Sequence, residues 1–591
     1  MGSYTAPLRD MRFALYELAA FDRLGALPGS EEMSAELIDS VLDAAGQFCS
    51  EVLFPLNRSG DEEGCSIENG VVRTPKGFPE AYKAFCDSGW TALHCDTVYG
   101  GQGLPKAVSL LFEEMICSAN ISFGMYPGLS HGAYAALHAH GTQELRDRYL
   151  PKLVDGSWTG TMCLTEPHCG TDLGMIRTKA LPDEHGSYRI TGTKIFISAG
   201  EHDLADNILH LVLAKLPDAP AGTRGISLFL VPKFIPAEDG RPGVRNAVAC
   251  ASIEHKMGIK ASATCVMNFD GAQGWLVGQP HRGLPAMFTM MNEARLSVGI
   301  QGLGLAEVSY QNAVAYAKDR RQGRALGGAV EPDQVADSIL VHPDVRRMLL
   351  TMRAYIEGCR GLATLAALEQ DVSQHHPDQA VREEADDFVQ LLTPIIKAFC
   401  SDIGWETTSI GMQVLGGHGY VREWGMEQYV RDAKIAQIYE GTNGIQALDL
   451  VGRKMPAHAG RYLRRFFHPV LAFIEAHGED ETMAEFVLPL SKAFGRLQQT
   501  TAAIARSGMA NPFEAGAAAT DYLRLFGLTA LAYVWARTAA IALNKSDDPF
   551  YRAKLATARF YMQKLLPQTA ALSTAILAGG ETLRAFEDAA F

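Results

Sequence analysis

SYRITGTKIFISAG (Ser187–Gly200) is a short run of β-branched and aromatic residues bounded by turn formers. It is followed by NILHLVLAKL (Asn207–Leu216), GISLFLVPKF (Gly225–Phe234) and ATCVMNFDG (Ala263–Gly271). Runs of this length, divided by Gly, Pro, Asp and Asn with no helical pattern between them, predict an antiparallel sheet or small barrel. Upstream, Leu37, Ile38, Val41, Leu42, Ala45, Phe48, Cys49, Val52 and Leu53 recur at three- and four-residue steps until Pro55, which predicts an amphipathic helix. Helical texture continues through Ala107–Cys117 and Ala133–Val154, with breaks expected at Tyr99–Gly103 and Pro127–Gly128. It returns in Met291–Arg320, in a helix opening at Pro343, and in Ala385–Leu415. An alanine-rich segment from Pro456 is broken at Gly478, Gly508–Pro512 and Asp547–Pro549.

The class is therefore α+β. The expected division is an N-terminal extension over 1–34, an α-domain over 35–157, a β-domain over 158–280, a second α-domain over 281–455 and an appended helical domain over 456–591. A chain of 591 residues with 47% hydrophobic and 20% charged side chains has enough apolar surface for several cores. Net charge is −14 with no long basic run, which argues against nucleic acid. Eleven scattered cysteines include no C-x-x-C pair, so neither a disulfide framework nor a zinc site is expected, and a reducing, cytoplasmic setting fits best. The stretch Leu525–Leu543 is interrupted by Arg537 and falls short of the roughly 20 residues of a membrane span.

Two motifs read as bland. Gly128-Leu-Ser130-His131-Gly132 matches a hydrolase elbow, but no strand precedes it, so a turn is expected. The histidines lack H-E-x-x-H spacing, and no metal is expected.

Four other segments stand out in order along the chain. They are Met162-Cys-Leu164-Thr165-Glu-Pro-His-Cys-Gly170-Thr171-Asp172, Lys194-Ile-Phe196-Ile-Ser198, Gln413-Val-Leu-Gly416-Gly417-His-Gly-Tyr420 and Ile438-Tyr439-Glu440-Gly441-Thr442-Asn443-Gly444. With Tyr149-Leu-Pro-Lys-Leu153 and Lys256-Met-Gly-Ile-Lys260, the set resembles the acyl-CoA dehydrogenase family over roughly residues 35 to 455. The resemblance implies FAD-dependent α,β-dehydrogenation of an acyl-CoA in fatty-acid β-oxidation. Glu440 would take the Cα proton and a hydride would pass from Cβ to flavin N5. It places Met162, Leu164, Thr165, Gly170 and Thr171 along the isoalloxazine, with Phe196 and Ser198 where many relatives carry Trp-x-Thr. Arg320, Gln322, Gln413, Gly416, Gly417, Thr442 and Gly444 would serve the rest of the cofactor, in part from a neighbouring subunit of a homodimer or dimer of dimers. Thr171, Asn292, Arg295, Tyr439 and Gly441 would meet substrate, and the enolate oxygen would be held by the Glu440 N–H and a ribityl hydroxyl. The long C-terminal extension and the segments Ala6–Asp10 and Ile445–Leu450 resemble a branch acting on 3-methylthiopropanoyl-CoA or fatty acyl-CoA. An electron-transfer flavoprotein is the implied acceptor. Weaker alternatives are an acyl-CoA oxidase using oxygen, a DNA-binding relative, and a serine hydrolase resting on Ser130.

A thioester Cα–H is a weak acid, so its removal calls for a buried carboxylate beside oriented donors. Glu440 follows the apolar stretch Ile435–Tyr439 and precedes Gly441, which can turn the chain.

Overall fold

The computed structural model describes residues 2–28 and 33–591. It divides into two compact units that do not follow chain order. One takes the chain up to Gly46, Pro105–Ser118 and Val298–Phe591, and the other takes Gln47–Leu104 and Ala119–Ser297.

The second unit holds the sheet. Its strands are β1 (Trp158–Cys163), β2 (Lys179–Pro182), β3 (Tyr188–Ser198), β4 (Asn207–Lys215), β5 (Ile226–Pro232), β6 (Val248–Ile253) and β7 (Thr264–Val277). The pairing β7–β3–β2–β4–β5 returns to β7, so these five strands close a small barrel, with β6 beside β7 and β1 beside β4. The expected antiparallel order holds except where β4 meets β1 and β2, which are parallel to it. Strands β4 and β5 are buried on both faces, and this is why their sequences are mostly apolar rather than alternating. On β4, Leu209, Leu211 and Leu213 join a core with Tyr149, Trp158 and Met290, while Val212 and Ala214 join Phe229, Met267 and Phe269 in another.

The helix expected to break at Pro127–Gly128 runs through them, from Lys106 to His140. It breaks instead at Asn120 (φ −163°, ψ 88°), whose Oδ1 accepts the Phe123 N–H at 3.1 Å and caps the restarted helix. Tyr126, Ser130 and Ala133 are buried, and that tertiary burial outweighs the helix-breaking tendency of Pro127. Ser130 lies in this helix, its hydroxyl donating to the Tyr126 carbonyl at 2.9 Å and accepting the Gly160 N–H at 3.1 Å. It is a packing residue, not a nucleophile elbow.

In the first unit, helices Gly283–Asp319 (from Val298 on), Pro343–His375 and Gln379–Val414 are joined by the appended helices Arg461–Ala476, Ala484–Ala510, Pro512–Leu543, Pro549–Phe560 and Gln568–Leu577. Pro512–Leu543 is the one described helix long and apolar enough to cross a membrane by composition, and 78% of that window is buried inside the protein. Trp535 shows how it packs, donating to the Ala354 carbonyl at 3.0 Å.

A buried ion cluster ties the unit together. Arg360, 1% exposed, contacts Asp10, Glu114 and Glu307, and Lys554 of the appended segment contacts Asp10 and Glu357. Burial first, opposed by Arg360, pushes the Glu114 carboxyl up to about 7. A raised carboxyl adds stability below its ordinary value, and that contribution is lost as pH rises through about 7. Arg360→Leu takes the cation from Glu114 and Glu307 and leaves Asp10 with Lys554 alone, and should cost about 3–5 kcal/mol at pH 8. The deficit should shrink toward pH 5, where the stranded groups take up protons. Thermal unfolding of both proteins across this range checks it; an equal deficit at both ends would refute the electrostatic account.

Candidate active site

In the second unit, β1 runs into the loop Leu164–Thr178 that the sequence motif marks, and β3 runs beside it. Cys169 and Ile176 of the loop join the apolar core, and the rest is organised around Glu166, 3% exposed. The Glu166 carboxylate accepts from the Arg177 N–H at 2.7 Å, the Thr178 N–H at 3.0 Å, the Thr178 hydroxyl at 2.6 Å and Lys194 Nζ at 2.9 Å. Its backbone and that of Cys169 exchange hydrogen bonds of 2.9 and 3.0 Å, closing the Glu-Pro-His-Cys turn. Burial raises the Glu166 carboxyl, but the Lys194 charge and the donors outweigh it and leave it lowered. Lys194, fully buried, also donates to the Leu164 carbonyl at 2.9 Å, and the Ile195 N–H donates to Thr165 at 2.9 Å.

Those two bonds fix the loop beside Phe196. Between Lys194 and Ile197 the pairing of β3 with β7 slips by one residue, a bulge of the kind that re-aims side chains. Phe196 sits there with φ 57° and 60% of its surface exposed. A large aromatic in left-handed backbone and turned to solvent is costly on both counts, and such residues cluster at functional sites. Met162, Leu164, Thr165 and Ser198 are half-buried around it, and Gly170 and Thr171 are exposed. An exposed ring beside hydroxyls and open backbone suits a flat heteroaromatic cofactor.

In the first unit the turn Gln437–Gln446 carries Glu440. Its backbone is left-handed at φ 56°, followed by Gly441 at φ 79°. Buried Gln446 donates to the Glu440 carbonyl at 3.2 Å and to the Gly441 carbonyl at 3.0 Å. Asn443 is held by Lys397 Nζ at 2.7 Å and by Asp402 at 2.7 Å, and Asp402 also accepts Gln437 at 2.7 Å. The Tyr439 hydroxyl bonds Gln301. In the same unit Gly416 (φ 59°, ψ −134°) and Gly417 have open space where a Cβ would stand, and Gln413 is exposed beside them.

The family domains lie along the chain in order. The N-terminal domain of acyl-CoA dehydrogenase matches residues 38–157, the middle domain 161–272, the C-terminal domain 281–455, and an acetyl-CoA dehydrogenase C-terminal-like domain 466–587. The chain belongs to the acyl-CoA dehydrogenase family. It is an oxidoreductase, and membership brings FAD as the cofactor, which the exposed Phe196 and its loop fit. The chain is 42% identical to the 3-methylmercaptopropionyl-CoA dehydrogenase of Ruegeria pomeroyi, over 98% of this chain and 99% of that one. Among solved structures it is similar in fold to Caenorhabditis elegans ACDH-11 in complex with C11-CoA, with TM-score 0.78, 20% identity and coverage of 99% and 95%. It is likewise similar to an acyl-CoA dehydrogenase from Bacillus anthracis complexed with FAD, with TM-score 0.75, 20% identity and coverage of 94% and 90%.

Of the other acyl-CoA dehydrogenase positions, Asn292 and Arg295 lie one turn apart on the Gly283–Asp319 helix, 3.5 Å between Oδ1 and Nη1, with the Arg295 guanidinium over Phe288. Arg320 and Gln322 are exposed and bonded to one another at 2.8 Å. Thr442 and Gly444 are exposed at the start of the helix Asn443–Asp449. Sequence reasoning assigned no role to Glu166 or Lys194, although both lie inside the quoted motifs. It also missed the grouping of His94, His131 and Glu293, whose ligand atoms lie within 4.8 Å of one another. The two imidazole centroids are 3.6 Å apart. Two imidazoles on one tetrahedral zinc, with bonds of about 2.0–2.1 Å, would stand about 5 Å apart, so these rings are not arranged as zinc ligands.

Glu166→Gln leaves the fully buried Lys194 without its counter-charge and should cost about 3–5 kcal/mol, with loss of bound FAD on purification. Glu166→Gln/Lys194→Met should recover part of that stability. Additive losses in thermal unfolding would show that the pair does not act as a unit.

Proposed function

We propose that the protein oxidises an acyl-CoA thioester between Cα and Cβ to the trans-2-enoyl-CoA, with Glu440 removing the Cα proton. The observation that carries this is the turn itself: a carboxylate-bearing residue held in left-handed backbone, followed by glycine, and stapled by the buried Gln446, Asn443 and Lys397. Such strain persists only where surrounding bonds over-determine it, and it fixes where the carboxylate can reach. The Glu440 N–H is the proposed donor to the thioester oxygen as charge builds there. FAD would supply the acceptor for the hydride that leaves Cβ. Met162, Leu164, Thr165, Thr171, Phe196 and Ser198 would hold its ring, and Arg320, Gln322, Gln413, Gly416 and Gly417 its pyrophosphate and adenosine end, with a second subunit completing the site. Asn292, Arg295, Tyr439 and Gly441 would position the acyl-CoA. Reoxidation is assigned to an electron-transfer flavoprotein.

For the acyl group, the identity of 42% along nearly the whole chain supports 3-methylthiopropanoyl-CoA, and 35% identity to a butyryl-CoA dehydrogenase supports short straight acyl groups next. Anaerobic bleaching of the bound flavin by a panel of acyl-CoA thioesters should be fastest with these. Fastest bleaching by long-chain thioesters would overturn the substrate while leaving the reaction intact.

Glu440→Gln keeps size and much of the hydrogen bonding but removes the base. FAD content and acyl-CoA affinity should be retained while the bleaching rate falls about 10²–10⁴-fold. A variant that bleaches at near the native rate would show that another carboxylate takes the proton.

A further inference from the structure

Residues 320–338 lie between the helices Gly283–Asp319 and Pro343–His375, and most of them are exposed. Their larger apolar side chains face outward: Leu326 is 89% exposed, Val330 61% and Val335 94%. Hydrophobic packing therefore does not order this segment. Asp337 does, and it is fully shut off from solvent by the segment's own backbone.

Its carboxylate accepts the Ala325 N–H at 2.9 Å, the Glu331 N–H at 2.8 Å and the Val330 N–H at 3.1 Å to each oxygen, with Arg324 Nη1 at 3.3 Å. The backbone of Asp337 pairs with the other arm of the loop, its carbonyl accepting the Gln322 N–H and its N–H donating to Gly323, both at 3.0 Å. One residue pair further out, the Ile339 N–H donates to the Arg320 carbonyl at 2.8 Å. The loop is thus a polar shell closed on one carboxylate, and its closure sets the backbone of Arg320 and Gln322.

Three arginines stand on the incoming arm. Arg321 is paired with Glu331 and Arg324 with Asp337. Among the described residues Arg320 has no ion pair; its guanidinium rests on Gln322 Oε1 at 2.8 Å. One exposed guanidinium is left uncompensated on a backbone whose geometry is fixed from within. Such a forked donor suits a phosphate.

We propose that Asp337 is a positioning residue for the cofactor, folding residues 320–338 so that Arg320 and Gln322 are presented in advance to the FAD pyrophosphate. The inference rests on the reading of Arg320 given under Proposed function. Asparagine has the same shape but one acceptor oxygen, and both Asp337 oxygens are engaged by backbone donors. Asp337→Asn is therefore expected to fail almost as badly as Asp337→Ala. Its carboxyl is held well below the usual range, first by the Ala325 and Glu331 N–H groups, so the device should not titrate between pH 5 and 8.

The test is FAD affinity of the apoprotein, followed by flavin fluorescence, in Asp337→Asn, Arg320→Ala and the double variant. Asp337→Asn and Arg320→Ala should each weaken binding about tenfold or more, and the double should lose much less than the sum of the two, because Asp337 acts through the arm that carries Arg320 and its partner Gln322. Trypsin should cleave apo Asp337→Asn after Arg321 and Arg324 faster than the native apoprotein, while thermal unfolding of the rest stays unchanged. Unaltered FAD affinity in Asp337→Asn, with Arg320→Ala impaired, would overturn the proposal and leave the Arg320 reading standing. Additive losses would overturn it too, since Asp337 would then act elsewhere. Unaltered affinity in Arg320→Ala would sink the Arg320 reading and this proposal with it. Arg324→Ala, which spares the N–H cage, should lose less than Asp337→Asn and guards against a folding failure; a loss as large as that of Asp337→Asn would place the effect in the ion pair and overturn the cage account.

Discussion

Arg360 is the cation on which the first unit closes. Asp10 reaches it from the N-terminal segment, Glu114 from the short stretch Pro105–Ser118, and Glu307 from the helix Gly283–Asp319. Lys554 then shares Asp10 and brings in the appended helices. These stretches are hundreds of residues apart in sequence, and each brings a charge that could not be buried alone. A fully formed cluster satisfies all of them, whereas any partial assembly leaves a charge in apolar surroundings. The cost of the wrong arrangement, more than the net worth of each pair, makes the cluster a device for choosing one packing of the helices. It also explains why the C-terminal extension is not a loosely attached module: its lysine completes the electrostatics of the N-terminal segment.

The same logic recurs on a smaller scale in the loops around the candidate site. Glu166 and Asp337 each sit buried within a loop and gather backbone donors, while Asp402, on the helix Gln379–Val414, accepts the amides of Gln437 and Asn443 from the Glu440 turn. An isolated carboxylate in such a place would be protonated or exposed; surrounded by donors it serves as a small polar core. Loops built this way can leave their larger side chains, Leu326 and Val335 among them, facing outward. Hydrophobically ordered loops would have had to turn those side chains inward.

Much of this was readable from sequence where punctuation is strong. Gly478, Pro512 and Pro549 mark the ends of the appended helices because glycine and proline act locally, whatever surrounds them. The break at Asn120 was not, since asparagine is a weak signal beside Pro127, and the outcome was decided by the burial of Tyr126 and Ala133. The motif around Glu440 announces itself in one dimension. Its left-handed backbone does not, nor does the pairing of Glu166 with Lys194, 28 residues apart, or the gathering of His94, His131 and Glu293. Pattern reading sees neighbours along the chain, while these depend on which strands and helices meet.

The positions hardest to read are also those where local preference is violated. Phe196 and Glu440 both adopt left-handed backbone, at a cost of order 1–3 kcal/mol each, where glycine would be unstrained. Glycine would relieve the strain but supply neither ring nor carboxylate. The strain is sustained by the strand bulge at Phe196 and by buried Gln446 and half-buried Asn443 around Glu440. Stability contributed by buried polar bonds is thus set against strain at these two side chains, which are two of the nine described non-glycine residues with positive φ and the two assigned to chemistry. Mutations of the supporting residues should accordingly be felt at the site before they are felt in the fold, because the strained conformers are the first states such a loss would release.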